Sequence, residues 1–337
     1  YYMKKFLPEK LSVGTIIHIV MVSVIVIIFA TIAIKLFMWD SSAEEIPIEV
    51  IDFNIFDTEP EDYYYTVDTN TIENYTNDGE LTVVMLGDDS IKDYSDESGI
   101  PALVAKATDA TTYTCSFPYM TMATQNAEFD ATFGDDAFSF YYMALCISKN
   151  NYDFLRAGLT TSQYTDRTDD YEKAISTLES IDFNYVDILV LSCGAQDYLK
   201  GYTQVNTLFP EVYMSDSYID SLMQGINWIR AEYPQIQFVV MSPTFCYYVE
   251  EDGSYTNCDV RKNADNGTLA DYMISAKSAA VQMNATYLDN YWGIDISSEN
   301  AKNYLTESSA YPNADGRKLI ADKLAKTINE KIYYTAE

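Results

Sequence analysis

The chain has 337 residues, with 21 lysines and arginines against 51 aspartates and glutamates, a formal net charge of −30 and a single histidine. So acidic a surface repels phosphate backbones and other polyanions, which excludes nucleic acid as a partner and favours solubility or attraction to cationic groups. Five cysteines, Cys115, Cys146, Cys193, Cys246 and Cys258, are an odd set and too few for a disulfide scaffold, so an apolar core must hold the fold together.

Residues 1–12 carry Lys4, Lys5 and Lys10, and the run from Val13 to Ile34 that follows has no formal charge. At about 1.5 Å per residue such a run crosses a bilayer core of roughly 30 Å, so residues 13–38 are expected to form one transmembrane helix. The lysines before it and Asp40, Glu44 and Glu45 after it predict a cytoplasmic tail over 1–12 and an extracellular main domain at the cell membrane, with Lys35 and Trp39 at the outer interface. The rival reading, a signal peptide cut near Ser41 and Ala43, meets the objection that signal cores usually run to only about 7–15 apolar residues. The only histidine, His18, falls inside this run, where no other ionisable residue could extend a proton relay.

Residues 39–80 are rich in Asp, Glu, Asn, Thr and Tyr and lack helical periodicity, and they read as an extracytoplasmic stalk. The alternation Ile46-Pro47-Ile48-Glu49-Val50 fits an edge strand, since proline cannot donate to a central ladder. From 81 to 337 apolar runs alternate with amphipathic stretches, the pattern of an α/β domain with a parallel sheet. Strands are expected over Leu81–Leu86, Thr112–Phe117, Val186–Leu191, Ile236–Met241 and Thr286–Leu288. Ile219, Leu222, Met223, Ile226 and Ile229 recur at helical spacing behind Ser215 and Asp216, a candidate N-cap region, and Ile320, Leu324 and Ile328 mark a C-terminal helix. Cys246 and Cys258 flank a candidate hairpin with its turn at Asp252-Gly253, which would let them face each other and bridge, whereas Cys193 reads as a buried thiol. The pairs Asp135-Asp136 and Asp169-Asp170 read as solvated helix starts.

In an open parallel sheet the reactive groups lie beyond the carboxyl ends of the strands. Three segments sit there: Gly87-Asp88-Asp89-Ser90-Ile91, Ser192-Cys193-Gly194-Ala195-Gln196-Asp197, and Ser308 to Gly316. In this order they resemble the blocks of the SGNH (GDSL-type) hydrolase superfamily, over nearly all of residues 81–333. The resemblance implies a flavodoxin-like, three-layer α/β/α SGNH-hydrolase fold with a mainly parallel five-stranded sheet. It puts Ser90 at the nucleophile position, although an extra aspartate separates Gly87 from the Asp-Ser pair. Gln196 stands where the family has the oxyanion asparagine, Tyr311 where it has the general-base histidine, and Ser308 where it has the orienting acid. After Phe117, where the family has a glycine whose N–H faces the oxyanion, stands Pro118-Tyr119. Asp89, Pro118, Tyr119 and Asp197 are the further candidate binding residues. Asp88 and Asp89 could hold a cation with Ser90, but adjacent carboxylates in a turn more often cap the helix that follows.

One argument against catalysis needs no alignment. A serine hydroxyl needs a base with a pKa near the working pH, usually histidine, and no histidine follows His18. A tyrosine with a pKa near 10 is a poor substitute, and a proline at the oxyanion position has no N–H to offer. No cofactor or metal is implied. The expected function is therefore a membrane-anchored, catalytically inactive SGNH-like domain that binds or scaffolds other envelope proteins, a second copy of itself or a cell-surface glycan. The alternative is a divergent serine esterase or acyltransferase acting on acylated glycans or lipids. The 30 tyrosines suit either sugar stacking or general packing with a polar tip.

Overall fold

The computed structural model describes residues 61–333 except 74, 76, 193–194, 206–211, 264–265 and 307–309. The expected transmembrane segment 13–38, the tail 1–12, Cys193 and Ser308 lie outside the described residues. No helix among the described residues is long and apolar enough to cross a membrane.

The apolar runs form the strands of one sheet: β1 (Thr82–Gly87), β2 (Thr111–Ser116), β3 (Ile188–Ser192), β4 (Gln237–Met241) and, after a hairpin of β5 (Tyr247–Val249) and β6 (Tyr255–Asn257), β7 (Thr286–Leu288). The order is β2-β1-β3-β4-β7 with every pairing parallel, which is the flavodoxin-like doubly wound order. Because side chains alternate along a strand, Val84 and Leu86 of β1 enter one apolar layer while Val83 and Met85 enter the other. The first layer packs against α2 (Phe140–Lys149), α4 (Thr168–Ser180), α6 (Tyr218–Glu232) and α7 (Leu269–Gln282). The second packs against α1 (Ile100–Thr108) and α9 (Ala314–Thr327). Burial on both faces explains why β1, β3 and β4 read as continuous apolar runs. The short helices α3 (Asp153–Leu159), α5 (Gln196–Lys200) and α8 (Ala301–Tyr304) complete the order.

Strand positions agree with the sequence expectation to within one or two residues. From Glu61 the chain lies along the β7 edge: Tyr63 exchanges backbone hydrogen bonds with Tyr287 at 3.0 and 2.8 Å, and Val67 N donates to the Gln237 side chain at 2.9 Å. This covers the edge strand and satisfies groups that would otherwise be unpaired.

Two local expectations are corrected. Helix α6 starts at Tyr218 behind Ser217, and Ser215 instead ties loops, its hydroxyl donating to Ala127 O while its carbonyl accepts from Thr124 N and the Ser221 hydroxyl. Asp136 is buried rather than solvated, because its carboxylate takes the Gln125 and Asn126 backbone N–H groups at 2.6 and 3.2 Å and so organises the loop before α2. Asp169 and Asp170 stand in the first turn of α4 as expected, Asp169 exposed and Asp170 paired at the surface with Arg167 and Lys92. The hairpin forms as expected around Gly253 at φ +80°, and the buried Cys246 and Cys258 face each other as thiols with sulfurs 3.4 Å apart.

Candidate site at the carboxyl ends of the strands

A Cβ on Gly87 would lie 2.6 Å from the Ser192 Cβ, so glycine lets the ends of β1 and β3 close up. Beyond Gly87 the chain turns into a short 3₁₀ segment, Asp89–Ile91, capped by Asp88, whose Oδ1 accepts from Ser90 N at 3.0 Å. Asp88 is only 2 % exposed. Burial pushes its carboxyl up to about 6, and Ser90 opposes the shift by hydrogen bonding. The Ser90 Oγ lies 2.9 Å from the Ser192 Oγ, a hydroxyl pair at the ends of neighbouring strands. Asp89 does not share the capping task. It forms a two-point ion pair with Arg167, Nη2 to Oδ1 at 2.7 Å and Nη1 to Oδ2 at 3.3 Å, while Arg167 Nε reaches Asp170 at 2.6 Å.

The β2 end supplies Pro118 and Tyr119. Pro118 O accepts from the Tyr171 hydroxyl at 2.6 Å. Tyr119 adopts φ +56°, stacks on Tyr164 with centroids 4.5 Å apart, lies under the Arg167 guanidinium and accepts at its carbonyl from Lys200 Nζ at 2.9 Å. Asp197 is buried and accepts from Met122 N and Ala123 N at 2.8 and 2.9 Å, so it clamps the loop after Tyr119. Burial pushes Asp197 up to about 6 against the pull of those hydrogen bonds. Burial also lowers the Lys200 ammonium, with the Asp197, Asp135 and Asp136 carboxylates opposing.

The third segment meets the second directly: Gln196 Nε2 donates to the Tyr311 hydroxyl at 2.7 Å. Burial, and then the charges of Asp88 and Asp89, raise the Tyr311 phenol far above its ordinary range. Tyr311, Ser90, Asp88, Ser192 and Asn290 line a cavity of about 30 Å³, the scale of a water molecule. Ser90 and Tyr311 thus share one cavity and Gln196 joins them through Tyr311. Asp197 serves the loop instead, and Ser308 lies outside the described residues. Sequence reasoning missed Arg167, Ser192 and Asn290. The position of Ser192 at a strand end was a usable signal, while Arg167 is 78 residues from its partner and had none. Among the described residues no group of three or more His, Cys, Asp or Glu is placed to hold a metal ion.

In chemical terms Ser90 has a hydroxyl neighbour and a capping carboxylate, but no imidazole. What the fold and site define is a flavodoxin-like α/β domain whose strand-end cavity brings a pair of serine hydroxyls and a buried phenol together. No protein-family description matches the chain, and no curated protein matches it. Solved structures do. One, at 15% identity, superposes with a TM-score of 0.51 over 75% of this chain and 98% of that one, and the two share the fold. A possible lipase from Chitinophaga pinensis has a TM-score of 0.46 at 14% identity, covering 74% of this chain and 98% of that one. A Bacteroides ovatus protein of GDSL-like lipase type has 0.45 at 10%, with 74% and 98% covered.

Proposed function

We propose that this is a membrane-anchored, extracellular SGNH-like domain that has exchanged catalysis for binding, held at the cell surface by residues 13–38 and engaging an envelope protein, a second copy of itself or a glycan. The observation that carries this reading is the Gln196–Tyr311 hydrogen bond. It occupies an amide N–H that a hydrolase would aim at an oxyanion, and it does so with a phenol too weakly acidic to exchange protons with Ser90 near neutrality. The Asp89–Arg167 pair likewise ties the one guanidinium beside Tyr119 to a carboxylate. The full chain is expected to leave p-nitrophenyl acetate and acetylated xylan intact at any pH between 5 and 9. Turnover well above the uncatalysed rate that vanishes in Ser90→Ala would overturn the proposal.

A second reading rests on Asp88. Its carboxyl, raised to about 6 beside Ser90, is the one group near that hydroxyl with a proton affinity suited to a base, which suits a divergent esterase or acyltransferase. That reading requires a fluorophosphonate probe to label Ser90 in the intact chain, with a pH dependence centred near 6 that Asp88→Asn removes. Failure to label rejects it.

A further inference from the structure

The strand-end cavity is the smaller part of the molecule's concave surface. At the opposite end of the sheet, where β3 and β4 begin, lie two larger clefts of about 250 and 510 Å³ that share Tyr75 and Gln235 as a common wall. They are separate from the Ser90 site: Ile188 lines the first of them and Ser192 the Ser90 cavity, at opposite ends of β3 and about 13 Å apart along the strand at ~3.3 Å per residue. The larger has the size of a small-molecule site, which typically spans about 300–1,000 Å³, and the smaller adjoins it, whereas the strand-end cavity has room for little beyond water.

The lining has a definite chemistry. The larger cleft is lined by Tyr75, Tyr185 and Pro234, by Asn184 and Gln235, whose amide N–H groups are spent on Asp182 and on backbone carbonyls, and by Glu73 and Glu232. The smaller adds further amide and hydroxyl groups and Asp68 and Asp187, and neither lining contains a lysine or an arginine. Asp187 is already engaged by Thr82 N at 2.8 Å and the Tyr75 hydroxyl at 3.3 Å, which fixes the Tyr75 ring in the wall between the two clefts. Tyr185, in contrast, is 53% exposed, and Glu73 and Glu232 are exposed beside it. A ligand suited to this lining needs apolar C–H faces to lie on the rings and hydroxyl or amine donors to meet the amide and carboxylate oxygens. It must also carry no negative charge, because there is no cation to receive one.

We infer that this cleft is a saccharide-binding site for neutral or amine-bearing sugars. A pyranose offers a C–H face on one side and a ring of hydroxyl donors at its edge, and an amino sugar adds an ammonium for Glu232 or Glu73. The site stands at the end of the sheet away from Ser90, so it does not depend on whether the Ser90 site is catalytic.

The test is calorimetric titration of the full chain in detergent micelles with hexamers of N-acetylglucosamine, glucosamine and galacturonic acid. The first two are expected to bind saturably and the anionic hexamer not at all. Tyr185→Ala, at an exposed ring whose loss leaves the core intact, is expected to weaken binding of both by about tenfold. Glu232→Gln is expected to weaken glucosamine binding and spare the N-acetylated oligomer, and Ser90→Ala is expected to change neither. The inference is overturned by absence of saturable binding to both sugars, by binding of the anionic hexamer alone, by affinities unchanged in Tyr185→Ala, or by sugar binding that Ser90→Ala abolishes. Hydrolysis assays and probe labelling report on Ser90 independently, so failure of this inference leaves the binding reading of the strand-end site to its own tests.

Discussion

Asp88→Asn isolates what a buried carboxylate does to this fold. The Asp88 side chain is 2 % exposed and its pKa stands at about 6 against an ordinary 3.8, with burial the largest cause. A carboxyl raised in the folded state binds its proton more tightly folded than unfolded. Its contribution to stability is therefore fully present below 3.8 and is lost as the pH climbs through 6. At about 1.4 kcal/mol per pH unit the loss amounts to about 3 kcal/mol. Asparagine keeps an oxygen to accept from Ser90 N and has no proton to lose, so the cap survives and the penalty disappears. The variant is expected to match the wild type at pH 4 and to exceed it at pH 8 by about 3 kcal/mol, or roughly 8 °C in melting temperature. Asp197, also raised to about 6, contributes a slope of the same sign that the variant leaves in place. Thermal unfolding of both chains at pH 4, 6 and 8 measures this directly, and parallel stability curves would refute the reasoning.

Arg167→Ala leaves Asp89 without its two-point partner in a site where the Asp89 side chain is 13% exposed, and is expected to destabilise the domain by about 2–3 kcal/mol in urea unfolding at pH 7. Restoring stability by adding Asp89→Asn to the variant would trace the loss to the stranded charge. Gly225→Ala places a Cβ 2.3 Å from the Phe140 ring where α6 crosses α2, and is expected to cost about 1–3 kcal/mol, measured as a lowered denaturant midpoint. Mild oxidation of the full chain is expected to join Cys246 to Cys258, read as a loss of two mass units and a mapped peptide link, and to add up to about 3 kcal/mol of stability.

The sheet was legible because three of its strands are buried on both faces and advertise themselves as unbroken apolar runs. The convergence of the Ser90 and Tyr311 segments was anticipated through the family resemblance, since Ser90 follows the end of β1 whereas Tyr311 leads into α9 well after β7. The charge partners could not. Asp89 and Ser90 are adjacent in sequence, yet one turns to Arg167 and the other to Ser192, a choice made by tertiary contacts 78 and 102 residues away. The same holds for Asp136, which reads as a solvated acid, and Asp197, which reads as a binding residue: both serve as acceptors for the backbone N–H groups of tightly bent loops. Short polar segments report their own turns well and their distant partners poorly.

The Gln196–Tyr311 hydrogen bond spans 115 residues of chain, and it staples the start of α5 to the segment that leads into α9. Replacing Tyr311 by histidine would put an imidazole in the cavity at the cost of that link, while the Asp89–Arg167 pair and the Ser90–Ser192 contact would remain. A change at position 311 is therefore also a change at the start of α5, and two segments far apart in the chain answer to one another in space.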